Sequence, residues 1–389
     1  MFEIIIANFG FWFNFLVPVV AALFLAITHK EYIWKEFGVQ SLATLAYVGI
    51  IYTLLFSVTT DLLDTNYTNG KVKSSTYYEE WTERVTYTES YSCGTTKSPR
   101  TCTRTKTRYD YHGPYYEIIT NLGESISIQR RDFSKTSKEF GKKKVTMHHS
   151  GQSSIGDGDK FISYPTKEIP TSVGHTYENI IAAANNNVIH TKVPKESIVQ
   201  LVNKGKLIAY PSLYKGKYGE TLLNRIIDTT GQLKNPRETL IQLNKLALIV
   251  GATKQANPII YITSEDRSFK DALSQYWKMG KKNDVTLVLG VDKEGTIQWS
   301  DVICFTNNTD FNFDMQNIFT KNKININDKI VLDNMESVIT KAYIRKPMEE
   351  FAYLKENITL EWYWQVIILL GNIAISILLA RKFLTNRWY

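Results

Sequence analysis

The sequence contains no phosphate-cradling P-loop, no G-x-S-x-G elbow and no HExxH pair, so three common catalytic devices are excluded at the outset. It also has no RNP, helix-turn-helix or zinc-finger pattern. A net charge of +8 over 389 residues suits a negative surface, such as anionic lipid or an envelope polymer, without requiring nucleic acid. Only three cysteines are present, with no paired CxxC knuckles, and a closed structural zinc motif is therefore missing. The apolar runs hold no acid or base, which makes a pump or transporter a poor reading.

What the sequence does have is apolar residues gathered at its two ends. Residues 9–28, 39–60 and 362–380 are uncharged. At 1.5 Å rise per residue each is long enough to cross a hydrocarbon core of about 30 Å. Aromatic flanks, Phe11 to Phe13 and Trp362 to Trp364, suit a headgroup interface. The first run lacks the basic leader of a signal peptide, and a second run follows almost at once. Lys30 and Lys35 lie between the first two runs, and Arg381, Lys382 and Arg387 follow the third. The positive-inside tendency then places that loop and the tail in the cytoplasm, with the N-terminus and residues 61–360 outside. Asn372 falls mid-span, where an amide in hydrocarbon must face protein. Thr44, Gly49 and Thr53 of the second run are expected to receive it, Gly49 by allowing close backbone approach.

Residues 72–130 alternate Tyr, Trp and Val with Thr, Ser and Glu, predicting an antiparallel sheet with one wet face. Cys93 and Cys102 flank a Gly-, Ser- and Pro-containing loop and are expected to close a hairpin disulfide outside the cytoplasm. A zinc site using them with His112 and His148 or His149 is the alternative. Cys304, in an apolar strand pattern, reads as a buried free thiol. Residues 130–160 are basic and then Gly-rich, a solvated loop or strand face. Gly156 to Asp159 reads as a tight turn. Between Tyr177 and Thr230 the pattern turns helical with breaks, with short helices expected from Ile180 and Lys195 and a loop over Asn185 to Asn187.

The clearest fold signal follows residue 236. Leu240, Leu243, Ala247 and Val250 keep helical spacing. Next come a short strand to Thr263, a helix from Ser268 carrying Phe269, Ala272, Leu273, Tyr276 and Trp277 on one face, an apolar strand from Val285 to Val291, a turn, a strand from Thr296, and a helix from Ile330. This order implies a sheet covered by helices. The segment Tyr276-Trp-Lys-Met-Gly-Lys-Lys-Asn-Asp284, followed by Val285-Thr-Leu-Val-Leu-Gly290, resembles the TPM domain of membrane-anchored extracytoplasmic proteins over about residues 236–350. The whole chain is similar to membrane proteins of tailed phages. The TPM resemblance implies a phosphatase chemistry in which acidic residues hold a divalent cation. Asp266, Asp292, Asp301 and Asp310 are the acids that could do so here.

The fold expected is a membrane-anchored α+β protein with three transmembrane helices. It comprises a two-helix anchor (1–60), an extracytoplasmic Tyr/Thr-rich antiparallel β domain (61–175), a helical linker (176–235), a TPM-like α/β sandwich (236–355), and a third transmembrane helix with a cytoplasmic tail (360–389). The function expected is a tethered envelope module. It contacts the lipid bilayer and binds a protein partner or further copies of itself, and it does not bind nucleic acid. A metal-dependent phosphatase is the alternative.

Overall fold

A computed structural model describes residues 2–28, 34–95, 98–149, 153–184, 193–320 and 323–385. Lys30, Arg387 and Asn185 to Asn187 lie outside the described residues. Two helices are long and apolar enough to cross a membrane, Phe37–Thr59 and Trp362–Phe383, within α4 (Trp34–Thr59) and the C-terminal helix Trp362–Thr385. Their outer faces carry Leu42, Leu45, Ile50, Leu54, Leu370 and Ile377, all exposed.

The first apolar run departs from the expected single span. It is divided into α2 (Phe9–Phe13) and α3 (Leu16–Thr28), and α1 (Phe2–Ala7) precedes it. Asn8 caps α2 by accepting from the Gly10 N–H at 3.0 Å, and the Asn14 amide turns back to donate to the Gly10 carbonyl at 2.9 Å. Side chains of this type compete with the helix for backbone partners. Pro18 then sits in the first turn of α3, where a missing N–H costs nothing. At 13 residues, α3 spans only about 20 Å.

The next unit is built around β1 (Leu63–Tyr78), a strand long enough to serve two pairings. Leu63 to Lys71 pair with β9 (Pro170–Glu178). Beyond an irregularity between Val72 and Ser74, the strand pairs with β4 (Tyr115–Thr120) on one side and β8 (Lys160–Ser163) on the other. β5 (Ser125–Ser127) and β6 (Lys143–Val145) complete the order β5-β4-β1-β8-β6. The basic stretch after residue 130, expected as loop or strand face, instead forms α5 (Arg130–Phe140). Phe133 and Thr136 are buried while Arg130, Arg131, Lys135 and Lys138 face water, an amphipathic division that packs the helix on Tyr77 and Tyr116.

The C-terminal sheet has the order β12-β13-β14-β15. β12 (Ile226–Asp228), β13 (Asn257–Thr263) and β14 (Asp284–Val291) are parallel, and β15 (Ile297–Cys304) returns antiparallel. β13 and β14 are buried at every position, as parallel strands covered on both faces must be. Helices Pro236–Lys254, Phe311–Thr320 and Ile330–Ala342 share one core through Leu243, Val250, Met315 and Met335. Helix Phe269–Tyr276 packs Phe269 and Leu273 on the opposite side against Ile259, Tyr261 and Val288. Two features lie outside the expected plan. Helix Phe311–Thr320 fills the interval before Ile330. The 176–235 stretch, expected as a helical linker, holds short helices Ile180–Ala183 and Lys195–Asn203 but also β10 (Leu213–Lys215), β11 (Thr221–Leu223) and β12. β12 belongs to the C-terminal sheet, so that unit begins before residue 236.

Polar contacts lock the two units together. Arg225, fully buried, donates to the Asn244 amide oxygen at 3.0 Å, to Ser172 Oγ at 2.9 Å, and to Asn257 and Asn69. Asn257 in turn donates to Asp284 at 2.7 Å. Loss of solvent pulls the Arg225 guanidinium down to about 10, still cationic at neutral pH. The Tyr276–Asp284 block docks on β1 and the residues leading into it. Lys278 pairs with Asp61, Lys281 pairs with Asp64, and Asn283 donates to the Tyr67 carbonyl at 2.6 Å. A second apolar cluster joins Ile4, Phe11, Tyr52 and Phe56 of the helical end to Ile180, Ile181, Phe351 and Leu354. The apolar helices therefore pack against the rest of the protein and do not join it by a free linker.

Candidate functional site

Of the four aspartates singled out by the TPM resemblance, Asp266, Asp292 and Asp301 have carboxylates engaged by neighbouring donors. Asp266 accepts from the Ser268 N–H at 2.8 Å and from its hydroxyl. It thus turns the chain into helix Phe269–Tyr276, and these bonds hold its carboxyl below the usual range. Asp292 takes the N–H groups of Thr296 and Glu294, both at 2.9 Å, within the β14–β15 turn, which likewise lowers its pKa. Asp301 pairs with Arg267 at 3.2 Å and accepts from Gln316 at 2.9 Å. Asp310 lies just before helix Phe311–Thr320, where its carbonyl accepts from the Asp314 N–H at 2.9 Å. Among the described residues, no three His, Cys, Asp or Glu side chains gather as a metal site.

The most exposed element is a hairpin. β2 (Trp81–Ser92) and β3 (Thr101–His112) pair through twelve rungs, about 40 Å of ribbon at roughly 3.4 Å per residue. β7 (Ser153–Ile155) joins only at Thr82 to Arg84. Beyond Arg84 no third strand pairs with the ribbon among the described residues. The period of two sorts the side chains cleanly. One face holds Val85, Tyr87, Glu89 and Tyr91 opposite Arg108, Lys106, Arg104 and Cys102. The other is a hydroxyl face of Thr86, Thr88 and Ser90 opposite Thr107, Thr105 and Thr103, ending in Tyr109 and Tyr111. Tyr109 and Tyr111 are 59% and 65% exposed. Glu89 is ion-paired to both Arg104 and Lys106 at 2.7 Å.

At the tip, Cys93 and Cys102 stand at disulfide distance, with Cα atoms 5.7 Å apart. At the base, Trp81 is stacked between His112 and His149, with ring centroids 4.3 and 3.6 Å away. Cysteines and histidines therefore occupy opposite ends of the ribbon, and the alternative zinc site is not assembled. Cys304 is a free thiol whose Sγ lies 3.4 Å from Asn312 Oδ1, and burial pushes its pKa up to about 12. Asp159, in the Gly156 to Asp159 turn, is buried and pairs with Lys144 at 2.5 Å.

Within the apolar helices, Asn372 is fully buried. Thr44 donates to its amide oxygen at 3.0 Å, and its own amide donates to the Asn14 carbonyl at 2.8 Å. The helix break at Asn14 thus supplies the acceptor. Gly49 is not part of this contact, since a Cβ there would meet nothing within 4 Å. The close approach falls at Gly371 instead, where a Cβ would collide with the Tyr47 hydroxyl. A sequence reading had a signal for the long ribbon in the Thr101-x-Thr-x-Thr-x-Thr107 alternation. It had none for Arg225, an ordinary surface residue type. Comparison of the chain with protein-family models, curated proteins and solved structures finds no match.

Proposed function

We propose that the chain is a membrane-tethered protein-interaction module whose recognition arm is the β2–β3 ribbon. The observation that carries this reading is the ribbon itself, with two wet faces and two open edges over most of its length. A two-stranded ribbon is marginal in water on its own, and unpaired edges are templates for another chain. Exposed tyrosines beside arginines are the side chains enriched where proteins bind one another. Residues 81–112 hold six basic against three acidic side chains, which suits a partner with an acidic surface.

The topology proposed puts this arm outside the cytoplasm, with the tail after residue 380 inside. Helices α4 and Trp362–Thr385 cross the bilayer, and the broken first run enters it beside them. Support comes from the distribution of Lys and Arg and from the cysteine pair, which an oxidising compartment would keep bonded. The TPM-like reading of the C-terminal sheet draws support from helices on both of its faces. The phosphatase alternative gains none from the four aspartates.

The test is photo-cross-linking in intact membranes, with a photoreactive residue at Tyr91, at Tyr109, or at the exposed Tyr353 outside the arm. The expected result is one discrete adduct with an acidic protein from Tyr91 and Tyr109 and none from Tyr353. Absence of any adduct from both arm positions overturns the reading.

A further inference from the structure

β3 stands at the end of its sheet, in the order β3-β2-β7, so its outer edge carries no strand from Thr101 to His112 among the described residues. The hairpin fixes which backbone groups face out. The Cys93 N–H donates to the Arg100 carbonyl at 3.0 Å, and the same register continues without a shift from Ser92 opposite Thr101 to Trp81 opposite His112. In an antiparallel pair, directly opposed residues exchange hydrogen bonds only at every second rung. The even-numbered residues of β3 therefore turn their N–H and C=O groups inward to β2. Thr103, Thr105, Thr107 and Tyr109 turn theirs outward, and all four residues are exposed.

The side chains along this edge follow the same alternation. Arg104, Lys106 and Arg108 form a row on one face, about 7 Å apart, with side chains 52%, 38% and 63% exposed. Glu89 serves both Arg104 and Lys106, and Arg108 pairs with Asp110 on its own strand at 2.9 Å. Glu83, on the same face, is taken up by His112 at 3.2 Å. Three cations thus share two carboxylates, and the row stays positive. A second copy of β3 laid antiparallel on this edge would, in its best-overlapped registers, set Lys106 against Lys106 or against Arg108. Like charges directly opposite are destabilising, so the row guards the edge against its own kind. The same row favours an acidic strand. A strand added here would meet the cations in its non-hydrogen-bonded rungs, where Cα atoms approach to about 4.5 Å and side chains lie closest.

We propose that the outer edge of β3 is a strand-addition site for an extended segment of another protein in which acidic residues alternate with small or hydroxylated ones. The acids lie opposite Arg104, Lys106 and Arg108. The residues between them bond to the backbone of Thr103, Thr105 and Thr107 and extend the hydroxyl face. Main-chain bonds hold the segment, and the alternation of side chains selects it. This rests on the ribbon being the recognition arm, and adds to it the edge, the backbone mode and the charge pattern of the partner.

The test titrates the full-length protein in mild detergent with the end-blocked peptide Thr-Glu-Thr-Glu-Thr-Glu-Thr. The isomer Thr-Thr-Glu-Glu-Glu-Thr-Thr has equal charge without the alternation, and is expected to bind at least tenfold more weakly. N-methylation of the threonine nitrogens, which face β3, should also cost at least tenfold. N-methylation of the glutamate nitrogens, which face away, should leave affinity nearly unchanged. On the protein, the alternating peptide should slow hydrogen exchange at the Thr103, Thr105 and Thr107 amides and leave Arg104 and Lys106, already bonded to β2, as they were. Thr105→Pro removes one outward donor while sparing the ladder to β2, and should lower affinity at least tenfold. Equal binding of the two isomers, tolerance of the N-methylated threonines, or unslowed exchange at all three amides would each overturn the site. This reading and that of the arm fail separately. A cross-linked adduct from Tyr91 or Tyr109 with unslowed exchange keeps the arm and removes strand addition. A bound, protecting peptide without any adduct keeps strand addition and removes the arm's partner in the membrane.

Discussion

The Asn372 side chain donates to the backbone carbonyl of Asn14 at 2.8 Å, joining the C-terminal helix to the point where the first apolar run stops being helical. Replacing Asn372 with Leu leaves that carbonyl and the Thr44 hydroxyl without their partner. The expected loss is about 1 kcal/mol, the scale of polar contacts between helices in membranes. Thermal melting of the full-length protein in detergent measures it, with Ile373→Leu on the exposed side as the neutral control. Equal midpoints for the two variants would remove Asn372 from this role.

Cys93 and Cys102 are expected to resist alkylation until a reductant is added. Cys304 should react only on unfolding, because burial keeps its thiol protonated. Peptide mapping after alkylation reads both. The Cys93→Ser, Cys102→Ser double variant should speed proteolysis within residues 86–107 while leaving the global melting midpoint nearly unchanged, because beyond Arg84 no third strand pairs with the ribbon among the described residues.

Arg225 should be among the residues least tolerant of change. Arg225→Met strands the Asn244 oxygen in a dry junction and takes one donor each from Asn69 and Asn257, which keep Ser172 and Asn69 as donors, and a loss of about 3 kcal/mol is expected. Its neighbour Asp284 makes the same junction pH-dependent. Burial pushes the Asp284 carboxyl from 3.8 up to about 6, against bonds from Asn257, the Lys281 N–H and Tyr210 that pull it down. Between these two values the folded chain keeps a proton that the unfolded chain has released. Stability therefore falls as pH rises through that window, by about 3 kcal/mol at most. Melting curves from pH 4 to 7 should show the fall. Asp284→Asn should flatten it, even though the variant is less stable throughout. An unchanged slope would assign the pH dependence to other groups.

Protease added to intact cells stripped of their wall should cleave within residues 61–360 and spare the tail after residue 380. Complete protection of the middle of the chain would reverse the orientation.

Several elements were legible in the sequence because their signals are local. The two long apolar helices follow from uninterrupted hydrocarbon content. The parallel strands β13 and β14 follow from continuous apolar runs, and helix Pro236–Lys254 from a period near 3.6. The pairing partner of Asn372 was half visible, since Thr44 lies at matching depth. Its second partner was not, because the break at Asn14 arises from side chains competing for backbone carbonyls, which hydropathy does not register. Gly49 and Gly371 look equivalent in sequence, and only the rotation of each helix about its axis decides that Tyr47 meets Gly371. Helix Arg130–Phe140 was missed because its charges outnumber its apolar residues and one narrow stripe is enough to pack it. By itself the sequence determined where apolar length, strand alternation and cysteine spacing place spans, sheets and a hairpin tip. Tertiary structure alone decided which polar groups meet. Arg225 with Asn69, Arg345 near Lys282, and Asp301 with Arg267 are contacts between segments far apart in the chain, and no local pattern encodes them.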